Sequence, residues 1–175
     1  MSIVRNGIDI DRDGKEASWQ KDAVEIRTRE PKHILFLCMA NSIRSQMAEG
    51  LAKAILKDSK RFSPSTLMIS SAGAIPGYGV HESVVAVLQE EGIEVSGQFA
   101  KGAGEVDLQS VDVVITLCAE EVCPIELIEK AGAVMRVHWK LPDPSSIFLR
   151  GSEDRLLPFR KIREILRERL QFLLM

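Results

Sequence analysis

The chain has 175 residues, a formal net charge of −2 and 45% hydrophobic residues. This length suits a single domain with a buried core, and the nearly balanced charge gives no reason to expect nucleic acid or an anionic membrane as the main partner. No apolar run approaches the ~18 residues that span a bilayer, and the first residues lack the apolar segment of a signal peptide. We therefore expect a cytoplasmic protein whose three cysteines are thiols, metal ligands or redox groups rather than a disulfide framework.

Residues 1–32 are rich in charge and have no sustained apolar period, which predicts an N-terminal extension that is poorly ordered or packed at the periphery. Residues 33–175 have the pattern of a folded domain, in which apolar runs alternate with segments of helical spacing. In chain order, the pattern predicts a strand at 34–37, a helix at 44–57, a strand at 67–71, a helix that includes 84–88 and ends at Gly92, strands at 111–117 and 133–139, and a C-terminal helix from 159 to 173.

Strands that alternate with helices predict an α/β fold with a parallel sheet. In such sheets, ligands bind beyond the carboxyl ends of the strands. Cys38 and Cys118 each follow a predicted strand, and Asp143 lies in the loop after the fourth strand. Three reactive side chains are therefore expected at one edge of the sheet.

The segment CMANSIRS, from Cys38 to Ser45, links the first strand to the first helix. Such a loop points its backbone N–H groups inward as a nest for a tetrahedral oxyanion, and Arg44 adds a bidentate cationic clamp. The same positive charge favours the thiolate form of Cys38, to which Ser45 can donate a hydrogen bond. Asn41 suits a left-handed backbone position. The expected substrate-binding residues are Met39, Ala40, Asn41, Ser42, Ile43, Arg44 and Ser45.

A merely structural, buried Cys38 is the alternative, and the strand, the helix and the downstream acid disfavour it. The segment HILFLCMANSIRSQMAEGLAK resembles the low-molecular-weight phosphotyrosine phosphatase superfamily and, within it, the thioredoxin-coupled arsenate reductases. The resemblance covers about residues 33–174 and implies a three-layer α/β/α fold with a four-stranded parallel sheet. Further matches lie at Ile69–Gly73, Thr116–Cys118, Cys123–Pro124, His138–Pro144 and Phe159–Arg163.

The resemblance implies that Cys38 attacks an oxyanion held by the loop and Arg44, while Asp143 protonates the leaving oxygen. For arsenate it implies a relay in which Cys118 attacks Cys38 as arsenite leaves. Cys123 then attacks Cys118, and thioredoxin reduces the resulting Cys118–Cys123 disulfide. Arsenate is the expected substrate, phosphate or sulfate can occupy the same loop, and no bound cofactor or metal is expected.

Two other functions stay open from the sequence. A phosphotyrosine phosphatase would need only Cys38, Arg44 and Asp143, although serines follow Asp143-Pro144 where the phosphatases characteristically have a tyrosine. A non-enzymatic thiol protein could instead sense an oxyanion or arsenite.

The pair Cys118 and Cys123 favours the reductase over both alternatives. Half of a zinc site is disfavoured, because His138 is the only candidate for a third ligand. If residues 119–123 are helical in the reduced protein, the two Cα atoms lie roughly 8–9 Å apart, whereas a disulfide needs about 4.4–6.8 Å. The spacing therefore predicts that this segment rearranges on oxidation.

Some members of the family bind potassium beneath the loop, through residues that match Asn41, Glu49 and Ser71 and through an acid. This sequence has Lys101 in place of the acid, so that an ammonium group can pair with Glu49. We therefore expect an enzyme that needs no added cation; a solvated loop lysine is the alternative.

Overall fold

The computed structural model describes residues 18–118, 135–144 and 154–175, and the backbone of 3–5 and 8–10. The described parts contain six strands and four α-helices. The strands are β1 (Ile3–Arg5), β2 (Ile8–Ile10), β3 (His33–Cys38), β4 (Met68–Gly73), β5 (Val113–Thr116) and β6 (Met135–His138). The helices are α1 (Ser18–Arg29), α2 (Arg44–Asp58), α3 (Glu82–Gln89) and α4 (Leu157–Leu174).

Strands β3 to β6 form one parallel sheet in the order β4-β3-β5-β6. In the register, Cys38 pairs with Gly73, Leu37 with Thr116, and Thr116 with His138. The predicted four-stranded parallel sheet is confirmed, and Cys38 lies at its carboxyl edge. Strands β1 and β2 pair separately as an antiparallel hairpin.

Each face of the sheet has its own hydrophobic cluster, because successive strand residues point to opposite faces. Ile34 and Phe36 belong to the larger cluster, to which all four helices contribute. Leu35 and Leu37 belong to a smaller cluster, covered by two short 3₁₀ turns at Ala103–Glu105 and Leu108–Ser110. The three layers are therefore the helices, the sheet and this second cover.

Helix α1 differs from the expectation for residues 1–32. Trp19, Ala23 and Ile26 are buried in the larger cluster, and the Trp19 ring makes edge-to-face contacts with Trp139 and Phe172 at centroid distances of 6.4 and 5.5 Å. Residues 18–29 are thus a helix of the main core rather than a poorly ordered or peripheral extension. The helix buries only Trp19, Gln20, Ala23 and Ile26, and the charged residues between them hide this narrow stripe in the sequence.

The end of α3 follows the predicted stop at Gly92. Gly92 has a positive φ of 70°, its N–H bonds to the carbonyl of Gln89, and the N–H of Ile93 bonds to the carbonyl of Leu88. These two hydrogen bonds form a Schellman motif, which satisfies the last carbonyls of the helix. Among the described residues, no helix combines the length and apolarity that a membrane crossing requires.

Candidate active site

The loop of residues 39–43 joins β3 to α2, and three of its carbonyls accept hydrogen bonds from another segment of the chain. Those of Met39, Ala40 and Ser42 accept hydrogen bonds at 2.8–3.0 Å from backbone N–H groups within 75–81. Asn41 has a positive φ of 48°, which confirms the left-handed position expected there. Within the part of the chain that the structure describes, no backbone acceptor is bound by the N–H groups of 39–43.

The N-terminus of α2 adds to this positive environment. Its N-cap residue, Ile43, provides no side-chain hydrogen bond to the first turn, which leaves N–H groups of that turn unsatisfied. Arg44 opens the helix, and its buried Nη1 atom has no hydrogen-bond partner among the described residues. A buried, unpaired guanidinium nitrogen beside a nest of N–H groups is what an oxyanion site needs before its ligand arrives.

Cys38 is the last residue of β3 and lies at the base of this loop. Its side chain is buried, and its Sγ atom lies 2.9 Å from Oγ of Ser45. The contact that the sequence predicts between these two side chains is confirmed. Since Ser45 lies in the first turn of α2, the helix fixes the hydroxyl against the sulfur.

A buried polar network continues from Ser45 beneath the loop. Asn41 Nδ2 donates to Oγ of Ser45 and to Oγ of Ser71, each at 2.8 Å. Ser71 in turn donates to Oε2 of Glu49 at 2.5 Å. Hydrogen bonds therefore connect the sulfur of Cys38 to a buried carboxylate on the second turn of α2.

Two lysines pair with that carboxylate. Lys101 Nζ lies 3.4 Å from Glu49 Oε2, and Lys53 Nζ lies 2.5 Å from Oε1. The side chain of Lys101 is only 13% exposed, whereas that of Lys53 is 48% exposed. The predicted pairing of Lys101 with Glu49 is confirmed, and the alternative of a solvated loop lysine does not fit this burial.

The sequence analysis missed Gln46, which is fully buried. Its Nε2 atom donates to Asn41 Oδ1 at 2.9 Å and to the carbonyl of Phe99 at 2.7 Å, and Gln98 donates back to its backbone and side chain. In the sequence, its role was indicated only by its position as a polar residue directly after Ser45, in the first turn of α2. Its partners, about fifty positions away, could not be inferred from local pattern.

Cys118 lies one strand away from Cys38. The backbone N–H of Leu117 bonds to the carbonyl of Leu37, so that continuing the register places Leu117 beside Cys38. If the extended backbone continues by one residue, the Cα atoms of Cys38 and Cys118 lie roughly 6 Å apart, from the strand spacing and the rise per residue. Both cysteines are buried thiols. This Cα separation suits a disulfide, but alternation along the strand would place the two side chains on opposite faces of the sheet.

Asp143 and Cys123 are the remaining predicted catalytic residues. Asp143 is half-buried in the segment that follows β6. Cys123 lies outside the described residues, as does the segment predicted to rearrange. Next to Cys118, Thr116 Oγ and His138 Nδ1 are 2.8 Å apart. The described residues contain no cluster of His, Cys, Asp or Glu that could hold a metal ion.

Comparison with known proteins identifies the family. The family model for low molecular weight phosphotyrosine protein phosphatase matches residues 33–175. The chain belongs to this family. The arsenate reductase of Halalkalibacterium halodurans is 37% identical over 143 residues, which are 80% of this chain and 93% of the relative. That of Bacillus subtilis is 35% identical over 145 residues, or 81% of this chain and 94% of the relative.

Solved structures agree with this assignment. An arsenate reductase in a phosphate binding state is 31% identical, with a TM-score of 0.62 over 80% of this chain and 94% of its own. Since the relatives match over nearly their whole length, the chain belongs to the arsenate reductase branch of the family. The matched region begins at residue 33, so helix α1 lies outside it although it packs into the same core.

Proposed function

We propose that this protein reduces arsenate to arsenite by a three-cysteine relay and is recycled by thioredoxin. The observation that carries the proposal is a second buried thiol, Cys118, at the end of the strand next to Cys38. Hydrolysis of a phosphate ester has no use for a second thiol, whereas reduction needs a pair of electrons that thiols can supply. The similarity to arsenate reductases supports the same choice of substrate.

The first step is a displacement at arsenic. The N–H groups of the loop and the guanidinium of Arg44 hold the oxygens of arsenate, which has the tetrahedral shape of the phosphate bound by the solved relative. The Cys38 thiolate attacks arsenic, and Asp143 protonates the oxygen that leaves as water. The product is an adduct with a bond between the Cys38 sulfur and arsenic(V).

The second step is the reduction. The Cys118 thiolate attacks the sulfur of Cys38, the sulfur–arsenic bond breaks, and its electron pair stays on arsenic. Arsenic(V) thereby becomes arsenic(III) and leaves as arsenite, while Cys38 and Cys118 are oxidised to a disulfide. Successive residues of a strand point to opposite faces of the sheet, so the Cys118 side chain lies on the face opposite to those of Leu117 and Cys38. The backbone that follows β5 must therefore change direction before the two sulfurs can meet.

The third step restores the nucleophile. The Cys123 thiolate attacks Cys118 and releases Cys38 as a thiolate. Thioredoxin then reduces the Cys118–Cys123 disulfide with its own dithiol, which becomes oxidised. The resting enzyme must hold reduced thiols, as a cytoplasmic protein does.

A protein-tyrosine phosphatase is the second candidate, because Cys38, Arg44 and Asp143 serve its first step equally well. A thiol sensor of oxyanions or arsenite would need the same loop without turnover. The reductase differs from both in its requirement for Cys118.

The test is NADPH consumption with arsenate, thioredoxin and thioredoxin reductase, for the unchanged protein and for Cys118→Ser. We expect turnover by the unchanged protein, at equal rates in sodium and potassium buffers, because Lys101 already supplies a cation beneath the loop. Cys118→Ser should lose arsenate turnover at least about a hundredfold while keeping any hydrolysis of an aryl phosphate. Arsenate turnover that survives Cys118→Ser would contradict the relay, and arsenate binding without turnover by the unchanged protein would favour a sensor.

A further inference from the structure

We propose that Lys101 is a positioning residue, which directs the hydroxyl proton of Ser45 toward the sulfur of Cys38. It acts at two points of the polar network beneath the loop, through its backbone and through its ammonium group. The inference rests on the proposed role of Cys38 as the nucleophile.

The first point of action is the side-chain amide of Asn41. The backbone N–H of Lys101 lies 2.9 Å from one terminal atom of this amide. A backbone N–H can only donate, so that atom must be the oxygen, Oδ1. Gln46 Nε2 donates to the same oxygen at 2.9 Å. The orientation of the amide is therefore determined, and its NH₂ group faces Ser45 and Ser71.

The orientation of the amide sets the direction of the next two hydrogen bonds. The Nδ2 atom of Asn41 can only donate, so Ser45 and Ser71 both accept from it and keep their own protons for other partners. Ser71 gives its proton to Glu49 Oε2. The sulfur of Cys38 lies 2.9 Å from Oγ of Ser45. A thiolate can only accept, so once Cys38 is ionised the free proton of Ser45 points at the sulfur and stabilises its charge.

The second point of action is the carboxylate of Glu49. Its side chain is 5% exposed, and a buried carboxylate needs a compensating charge. Lys101 pairs with Oε2, the oxygen that also accepts the proton of Ser71, and its Nζ atom lies 5.0 Å from the centre of the Phe99 ring. Lys53 pairs with the other oxygen, Oε1, and is largely solvated. Lys101 thus pairs with the same oxygen of Glu49 that accepts the proton of Ser71, at the end of the hydrogen-bond network that leads to Cys38.

The two lysines on one carboxylate provide a matched comparison. Lys101→Met, Lys101→Arg and Lys53→Met are made in a chain that also carries Cys118→Ser and Cys123→Ser, so that iodoacetamide reports on Cys38 alone. The rate of alkylation is measured against pH. The other charged groups of the loop and of its hydrogen-bond network, Arg44 and Glu49, are the same in every variant.

We expect Lys101→Met to move the midpoint of the alkylation profile up by about one pH unit, with a rate at neutral pH that falls about three- to tenfold. Lys101→Arg should restore most of the change, since it keeps the cation. Lys53→Met should move the midpoint by less than about 0.2 units, because a solvated charge is screened.

Equal shifts in Lys101→Met and Lys53→Met, or no shift in either, would overturn the proposal. Thermal unfolding is followed for each variant. Should Lys101→Met fail to fold, Lys101→Gln makes the same comparison, because it removes the charge and keeps a hydrogen-bond donor. The alkylation readout does not depend on arsenate. If the unchanged protein failed to reduce arsenate in the coupled assay, the proposed function would be refuted, whereas a shifted alkylation profile would leave this inference standing.

Discussion

At the scale of single residues, the contact between the loop and β4 leaves no room for a side chain at Gly73. A Cβ atom added to Gly73 would lie 2.8 Å from the backbone nitrogen of Asn41 and 2.8 Å from the carbonyl oxygen of Met39. Both are backbone atoms, and the positive φ of Asn41 leaves the loop little freedom to move away. The backbone at the end of β4 thus packs directly against the anion-binding loop.

We predict that Gly73→Ala displaces the loop from the end of β4. Overpacking of this kind costs about 1–3 kcal/mol of unfolding free energy, and a loop displaced by a fraction of an ångström should lose at least about tenfold in kcat/KM for arsenate. The measurements are urea unfolding and the coupled NADPH assay. Gly97→Ala is the control, because a Cβ atom there would meet nothing within 4 Å; equal effects of the two variants would contradict the explanation.

The residues of the site show what a sequence can predict at this scale. The left-handed Asn41 and the hydroxyl of Ser45 at the sulfur followed from residue types within the loop motif, whereas the ion pair of Lys101 followed from the potassium site of the family that the sequence resembles. The roles of Gln46 and Gln98 did not, because their contacts join segments about fifty residues apart in a register that only the folded chain sets.

At the scale of elements, the four strands of the parallel sheet and helices α2 to α4 were predictable, whereas α1 and the hairpin of β1 and β2 were not. An apolar run that is buried on both faces, as in β3, is visible without any partner. Helix α1 instead buries a narrow stripe, of which Trp19 is the largest member, against residues from α4 and from the end of β6. Its packing depends on Trp139 and Phe172, which are more than a hundred positions away.

We predict that Trp19→Ala lowers the free energy of unfolding by about 3–5 kcal/mol, as large-to-small changes of buried aromatics do. The Trp19 side chain is only 6% exposed and contacts two other rings, so its loss leaves a cavity between α1, β6 and α4. Val24→Ala is the control in the same helix, because Val24 is 52% exposed; it should change stability by less than about 0.5 kcal/mol. Urea unfolding of both variants makes the comparison, and a peripheral helix would give similar small values for both.

At the scale of the whole molecule, the two edges of the sheet have different chemistry. The carboxyl edge carries the loop, Arg44 and the thiols. The amino edge carries a buried imidazole, His33, whose ring nitrogens lie 3.0 Å from Ser110 Oγ and 2.6 Å from Ser70 Oγ. Ser110 donates its own proton to the carbonyl of Asp107, so it accepts from His33 Nδ1–H, and Ser70 can donate to Nε2 of the neutral ring. Burial of the ring favours this neutral form.

This arrangement predicts a pH dependence of stability that is separate from activity. Burial lowers the pKa of His33 below its usual 6.5, and the carboxylates of Asp112 and Asp107 oppose the shift only in part. The unfolded chain therefore takes up a proton at a pH where the folded chain does not, so stability is fully present above about pH 6.5 and falls as the pH decreases through that value. Urea unfolding at about pH 5.5 should give a lower free energy than at about pH 7.5, with a slope of at most about 1.4 kcal/mol per unit. The variant His33→Gln keeps hydrogen-bonding groups without titrating, and it should reduce the pH slope although its stability at neutral pH is lower. An unchanged slope in that variant would assign the acid sensitivity to other groups.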